Sequence, residues 1–185
     1  MNRSTFDKFG YGFLFILIDF KIMGFDILPD FIGYILFALG FKALVSYSNY
    51  FNKGFYVSIP MIIISLFSVY EKQVQTNGIN FGVLGALGVL AIPIAIATIV
   101  LSILVVYYLF KGITEMANNK GEFSIAGESE NKWRQFIYLQ LAYLAAIIFV
   151  FIPLLGIFYI IGILVISIIY TYYVMKFTRT CGEYL

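Results

Sequence analysis

The chain contains no histidine and one cysteine, Cys181. Without histidine there is no Ser-His-Asp or Cys-His nucleophile system, no HExxH zinc site and no His-ligated haem. One cysteine cannot close an intrachain disulfide or build a Cys-cluster metal site, so Cys181 reads as a free thiol in a reducing compartment. No Walker motif, GxGxxG or internal repeat is present. Charge is also scarce: 12 basic and 10 acidic residues make up 12% of the 185 residues. A water-soluble domain covers its surface with about twice that share. The net charge of +2 is too mild for a nucleic-acid footprint.

What fills the chain instead is hydrocarbon. Hydrophobic residues account for 62% of it, against about 45–50% in soluble domains, and the mean hydropathy is +0.94. These figures exclude disordered and disulfide-framework classes and point to an all-α polytopic transmembrane bundle in a single integral membrane domain over residues 1–185. Arg3 and Lys8 ahead of an apolar run resemble a signal peptide. Asp19 and Lys21 interrupt that run, however, and no small-x-small cleavage site follows, so it reads as a retained first span.

A crossing of about 30 Å needs about 20 helical residues. Residues 135–175 form a 41-residue stretch without charge, enough for two crossings, and Ile152-Pro153-Leu154-Leu155-Gly156 supplies the turn between them. The hydropathy predicts six spans, over about 9–25, 31–48, 54–70, 82–110, 135–152 and 156–175. The fourth is long for one crossing, so 82–93 is either part of a tilted span or a separate short outer helix. With six spans and both termini cytoplasmic, ten of the twelve basic residues fall inside and only Lys21 and Lys72 outside, as the positive-inside rule prefers in a plasma membrane. The one sizeable hydrophilic segment, the cytoplasmic loop 111–133, reads as a solvated connection, or as a docking surface for a membrane or cytoplasmic protein partner.

The first hairpin concentrates charge: Asp19, Asp26 and Asp30 are three of the four aspartates in the chain, and Lys21 lies among them. Counting helical rise from Lys8 puts Asp19 about 16 Å deep, and counting from Asp30 puts Lys42 about 18 Å below the outer boundary. The two depths nearly coincide. A lone charge at that depth costs about 2.5–3.5 kcal/mol on insertion scales, so such groups pair or face a wet cavity. Three readings follow: an Asp19–Lys42 pair that only fixes helix packing, a snorkelling Lys42 with a neutral Asp19, or a site for a proton, cation or small polar ligand. Lys21, Asp26 and Asp30 would form the outer mouth of such a site or be surface-turn residues. Gln140, a primary amide in an apolar helix, needs partners. Ser65, Ser68, Thr98, Ser102, Tyr143 and Ser167 are expected to make helix-to-helix hydrogen bonds.

No convergent acid, base or metal set stands out, so the expectation is a non-enzyme without catalytic residues, metal or cofactor. Gly24-Phe25-Asp26 does not match the Gly-x-Gly-Asp of intramembrane aspartyl proteases. Two functions remain. One is binding or translocation of a small solute or ion, alone or as a subunit, by a chain similar in size and span number to substrate-capture subunits of vitamin importers. The other is an accessory, sensory or immunity-type protein acting by contact with another protein. Asp26-Ile-Leu-Pro-Asp30-Phe-Ile-Gly33-Tyr34-Ile-Leu36 resembles a stretch found in small bacterial multi-pass membrane proteins of unassigned function. That resemblance implies a bacterial plasma membrane and no particular activity.

Overall fold

A computed structural model describes residues 3–17, 21–22, 25–26, 30–68, 91–149 and 152–185. Among them are six helices: α1 (Arg3–Leu17), α2 (Asp30–Leu44), α3 (Asn49–Ser68), α4 (Ala91–Lys120), α5 (Phe123–Phe149) and α6 (Pro153–Tyr184). Between α1 and α2 lies a minimal antiparallel ladder of β1 (Lys21–Ile22) and β2 (Phe25–Asp26), with Lys21 in register with Asp26. The expected all-helical architecture is present. Two helices, over Pro93–Lys120 and Leu154–Tyr184, are long and apolar enough to cross a membrane.

The helices pack in a closed circle. Each touches its sequence neighbour, and α6 returns to lie against α1. Neighbours run antiparallel, because α1 meets α6 through Arg3–Glu183 at one end and α3 begins where α4 finishes, at Ser48–Glu115. The bundle therefore has a terminal end, which carries both chain ends, and a hairpin end, which carries the β1–β2 ladder.

The apolar spacing of α1 explains its place. Phe6, Phe9, Phe13 and Leu17 recur at three- and four-residue intervals on one buried stripe. Phe13 reaches furthest into the bundle. Its ring lies 5.1 Å from Phe37 of α2, 5.9 Å from Phe110 of α4, 6.4 Å from Phe136 of α5 and 6.2 Å from Tyr170 of α6, mostly edge to face. Such pairs add to burial through the ring quadrupoles. Beside this stripe α1 and α2 touch at backbone distance, because Gly12 faces Gly33 across the contact.

Several boundaries differ from those read from hydropathy, and the reason is common to them. Hydropathy counts apolar length, while a helix continues wherever polar residues can face outward. The expected 9–25 span is a helix that begins at Arg3 and ends at Leu17, with strand pairing at 21–22 and 25–26. Depths counted along a continuous helix to Asp26 therefore do not apply. The second helix ends at Leu44 rather than near 48, and a turn over 45–47 leads into α3. The expected loop 111–133 is almost wholly helical. α4 runs on to Lys120 and α5 begins at Phe123. Only Gly121, at φ 79°, and Glu122 separate them, and that left-handed φ is open to glycine at little cost. Lys111 pairs with Glu130 at 3.6 Å across this helical hairpin, and Lys132 pairs with Glu128 at 3.8 Å along α5. The turn expected at 152–156 is present: Ile152 is extended and Pro153 opens α6, where its missing N–H leaves no donor unsatisfied. Of the fourth segment, 82–90 lies outside the described residues.

The terminal end is fastened by polar contacts. Ser48 caps α3, its Oγ accepting from the Tyr50 N–H at 3.1 Å and donating to Glu115 Oε2 at 2.6 Å. Lys120 donates to the Leu185 carbonyl, and Asp7 pairs with Arg179 at 3.8 Å. Ser48→Ala removes a cap and a charge-assisted bond together. It is expected to lower stability by about 1–3 kcal/mol, read as a drop in melting temperature of the solubilised chain.

Candidate functional site

At the hairpin end, four helices line a half-open pocket of about 230 Å³. α1 contributes its last turn, Ile16 and Leu17, and α2 its first turns, Asp30 and Tyr34. α4 adds Thr98, Ile99, Ser102 and Val106, and α5 adds Phe136, Gln140 and Tyr143. The wall forms here because α1 stops at Leu17 and α2 starts at Asp30, so the helix ends supply a rim. Asp30 begins α2, where a carboxylate suits the positive end of the helix dipole. Tyr34 sits one turn further in and is buried.

Most of the hydroxyl protons around this cavity are already committed. Thr98 donates to the Ile94 carbonyl at 2.9 Å and Ser102 to the Ile99 carbonyl at 2.8 Å. Ser167 donates to Ile163 at 2.8 Å, so in the 2.6 Å contact between Tyr143 and Ser167 the phenol donates and the serine accepts. Gln140 makes no hydrogen bond among the described residues, and its amide is accessible to the cavity.

No family model, curated protein or solved structure matches this chain. Its chemistry therefore has to be read from the cavity itself.

Of the residues singled out in the sequence, Asp30 and Gln140 come together in this cavity although they are 110 positions apart. Lys42 does not join them. It lies exposed in the last turn of α2, twelve residues and about 18 Å along the axis from Asp30. Asp19 lies outside the described residues, and with it the expected Asp19–Lys42 pair. Lys21 and Asp26 occupy opposed positions of the β1–β2 ladder, between α1 and α2.

The hydroxyl expectation holds for Tyr143 and Ser167, which bond across a helix interface, and is corrected for Thr98 and Ser102, which donate to carbonyls of their own helix. A short hydroxyl reaches the carbonyl one turn back without any help from a neighbour. Three cross-helix bonds come from tyrosines: Tyr143 to Ser167, Tyr159 to the Ala142 carbonyl at 3.0 Å and Tyr170 to the Lys132 carbonyl at 3.0 Å. All three join α5 to α6. Among the lining residues that sequence reasoning did not single out for a site are the aromatics Tyr34 and Phe136. Their signal, an aromatic at helical spacing from Asp30 or Gln140, is shared by many core residues.

Among the described residues no group of three or more acidic or cysteine side chains could hold a metal ion. Cys181 is fully buried at the terminal end. Burial pushes its thiol pKa up, and the Glu128 carboxylate adds to the shift, so the group stays protonated and unreactive.

Proposed function

We propose that the chain is a multi-pass plasma-membrane protein of six spans with both ends in the cytoplasm, and that its hairpin-end cavity binds a small solute or ion, alone or as a subunit of a carrier. The membrane part is supported by where the hydrocarbon lies. Only 22% and 28% of the apolar windows of α4 and α6 are buried, less than the core helix of a soluble fold buries, which supports this reading. Leu154 and Phe158 are 72% and 70% exposed, and Ile161, Leu164, Val165 and Ile168 continue the same apolar surface. A patch of this extent belongs in lipid. Antiparallel helices that return both chain ends to one end of the bundle fit an even number of crossings. Most of the basic residues also gather at that end, as a cytoplasmic face requires. α1 and α2, at 15 residues each, extend only about 22 Å, so they cross with local thinning of the bilayer.

The observation that carries the solute-binding part is the convergence of Asp30 and Gln140 on one cavity. A carboxylate and an accessible amide on one wall of an otherwise apolar pocket are the kind of convergent polar groups that orient a small solute. The test is thermal unfolding of the detergent-solubilised chain against a mixed panel of charged and neutral solutes. Saturable stabilisation by at least one solute, lost in Asp30→Asn, is the expected result. No response to any solute, together with a protein that co-purifies from native membranes, would establish the accessory role instead. Tags on the two ends should report from the same face of the membrane.

A further inference from the structure

We propose, on the basis of the membrane part of that reading and independently of the hairpin-end pocket, that the last turns of α6 hold the headgroup of an anionic phospholipid. The headgroup is a phosphodiester of net charge −1 that carries hydroxyls, seated at the cytoplasmic leaflet.

The site is a second half-open pocket, of about 470 Å³, lined by Tyr172, Met175, Lys176, Arg179, Thr180 and Glu183. Spacings of three and four residues put these side chains on one face of the helix. Lys176 is the first charged residue after the apolar run that ends at Met175. Toward the hairpin end the same face continues as Val165, Ile168 and Ile169, which are 47%, 43% and 50% exposed. From Val165 to Tyr172 this stripe runs about 10 Å along the axis. The pocket therefore lies where hydrocarbon gives way to charge, with the exposed Tyr172 ring at the boundary depth that such rings prefer.

The charges around the pocket are unevenly spent. Arg3 lies 3.6 Å from Glu183, and Asp7 lies 3.8 Å from Arg179 Nε. Both separations are too long for a hydrogen bond, so Arg179, about half exposed, keeps its donors. The Lys176 ammonium has no ion pair or hydrogen bond among the described residues. On the wall two cations stand against one carboxylate, and that carboxylate already faces Arg3. A phosphodiester matches the surplus of one positive charge, and a guanidinium beside an ammonium suits its oxygens. A second phosphate would meet Glu183 and Asp7 instead.

The far side of the pocket asks for donors. Thr180 gives its proton to the Lys176 carbonyl at 3.2 Å, so its oxygen offers lone pairs, as the Glu183 carboxylate does. Headgroup hydroxyls supply those donors. A lipid fits better than a free phosphodiester because the pocket opens onto the Val165–Tyr172 stripe, which an acyl chain covers.

The test is thermal unfolding of the full chain in a neutral detergent. The probes are phosphatidylglycerol, phosphatidylcholine with the same acyl chains, and soluble glycerophosphoglycerol. The expected result is a saturable rise in melting temperature with phosphatidylglycerol alone. Lys176→Gln should raise the half-saturating concentration about fivefold or more, the worth of one basic residue at an anionic surface. Lys42→Gln, at an exposed lysine of α2, should leave it unchanged. Raising ionic strength from about 0.1 M to about 1 M should weaken the response of the unmodified chain, because the screening length falls from about 10 Å to about 3 Å. That measurement decides the matter should Lys176→Gln fail to fold. No response, equal stabilisation by the two lipids, or equal loss in the two lysine variants would overturn the headgroup site. An equal rise with glycerophosphoglycerol would overturn the lipid as its source. All these outcomes leave the membrane reading in place, whereas a chain that stays monodisperse in plain buffer without detergent would overturn that reading itself.

Discussion

Phe13→Ala is expected to destabilise the solubilised chain by about 3 kcal/mol or more, the low end of the range for removing a buried phenylalanine ring. Phe13 is fully buried, and its ring lies beside aromatic rings from four other helices. Truncation therefore opens a void at the one point where most of the bundle converges. In a lipid or detergent surround little of this cost is lost hydrophobic transfer, because the unfolded chain also has apolar surroundings. It comes from dispersion contacts that vanish when the void has no atoms to fill it. Two variants separate the causes. Phe13→Leu keeps much of the volume and should recover about half of the loss, whereas an exposed change such as Phe123→Ala, at 73% exposure, should do nothing measurable. A melting temperature for Phe13→Ala within a degree or two of the unmodified chain would mean that the convergence point is not packed as described.

Gly33→Leu should act on the opposite fault, too little room. A Cβ at Gly33 would stand 2.7 Å from Ile16 Cγ1 and 2.9 Å from the Gly12 carbonyl oxygen. The isoleucine can turn aside, but the Gly12 backbone cannot. The leucine must push α1 and α2 apart, with an overpacking cost of about 1–3 kcal/mol and in some settings more. Because the same two helices supply one wall of the cavity, the change should also weaken any solute response. The comparison is Gly127→Leu, where an added Cβ meets nothing within 4 Å. Glycine is the poorest ordinary helix former, so that variant should melt at or above the temperature of the unmodified chain. Equal melting of the two variants would remove the close approach from the account.

Much of the architecture is legible in the amino-acid order, and for clear physical reasons. Long charge-free runs announce helices, and Pro153 opens a helix within the stretch where a turn is expected. What hydropathy missed was helix without hydrocarbon. The charged residues of 111–133 continue α4 and open α5 by pairing with one another, as Lys111 does with Glu130, so their helicity leaves no apolar trace. The site was half legible. Gln140 stands out as an amide in an apolar helix, and Asp30 as a member of the charged first hairpin. That they meet in one cavity could not be read, because it depends on which helices are neighbours in the circle. Lys42 lies twelve residues along α2 from Asp30, as depth counting had it, while Asp19, the partner offered for it, lies outside the described residues.

The return of α6 onto α1 has a consequence for how the molecule is made. During synthesis α1 emerges well before α6, its closing partner. Until then the side of α1 destined for α6 has only lipid or chaperone to rest on, and the aromatic centre around Phe13 lacks Tyr170. A chain stalled on the ribosome before residue 153 should therefore be sensitive to protease, and protection should arrive abruptly once residues 153–184 have been made.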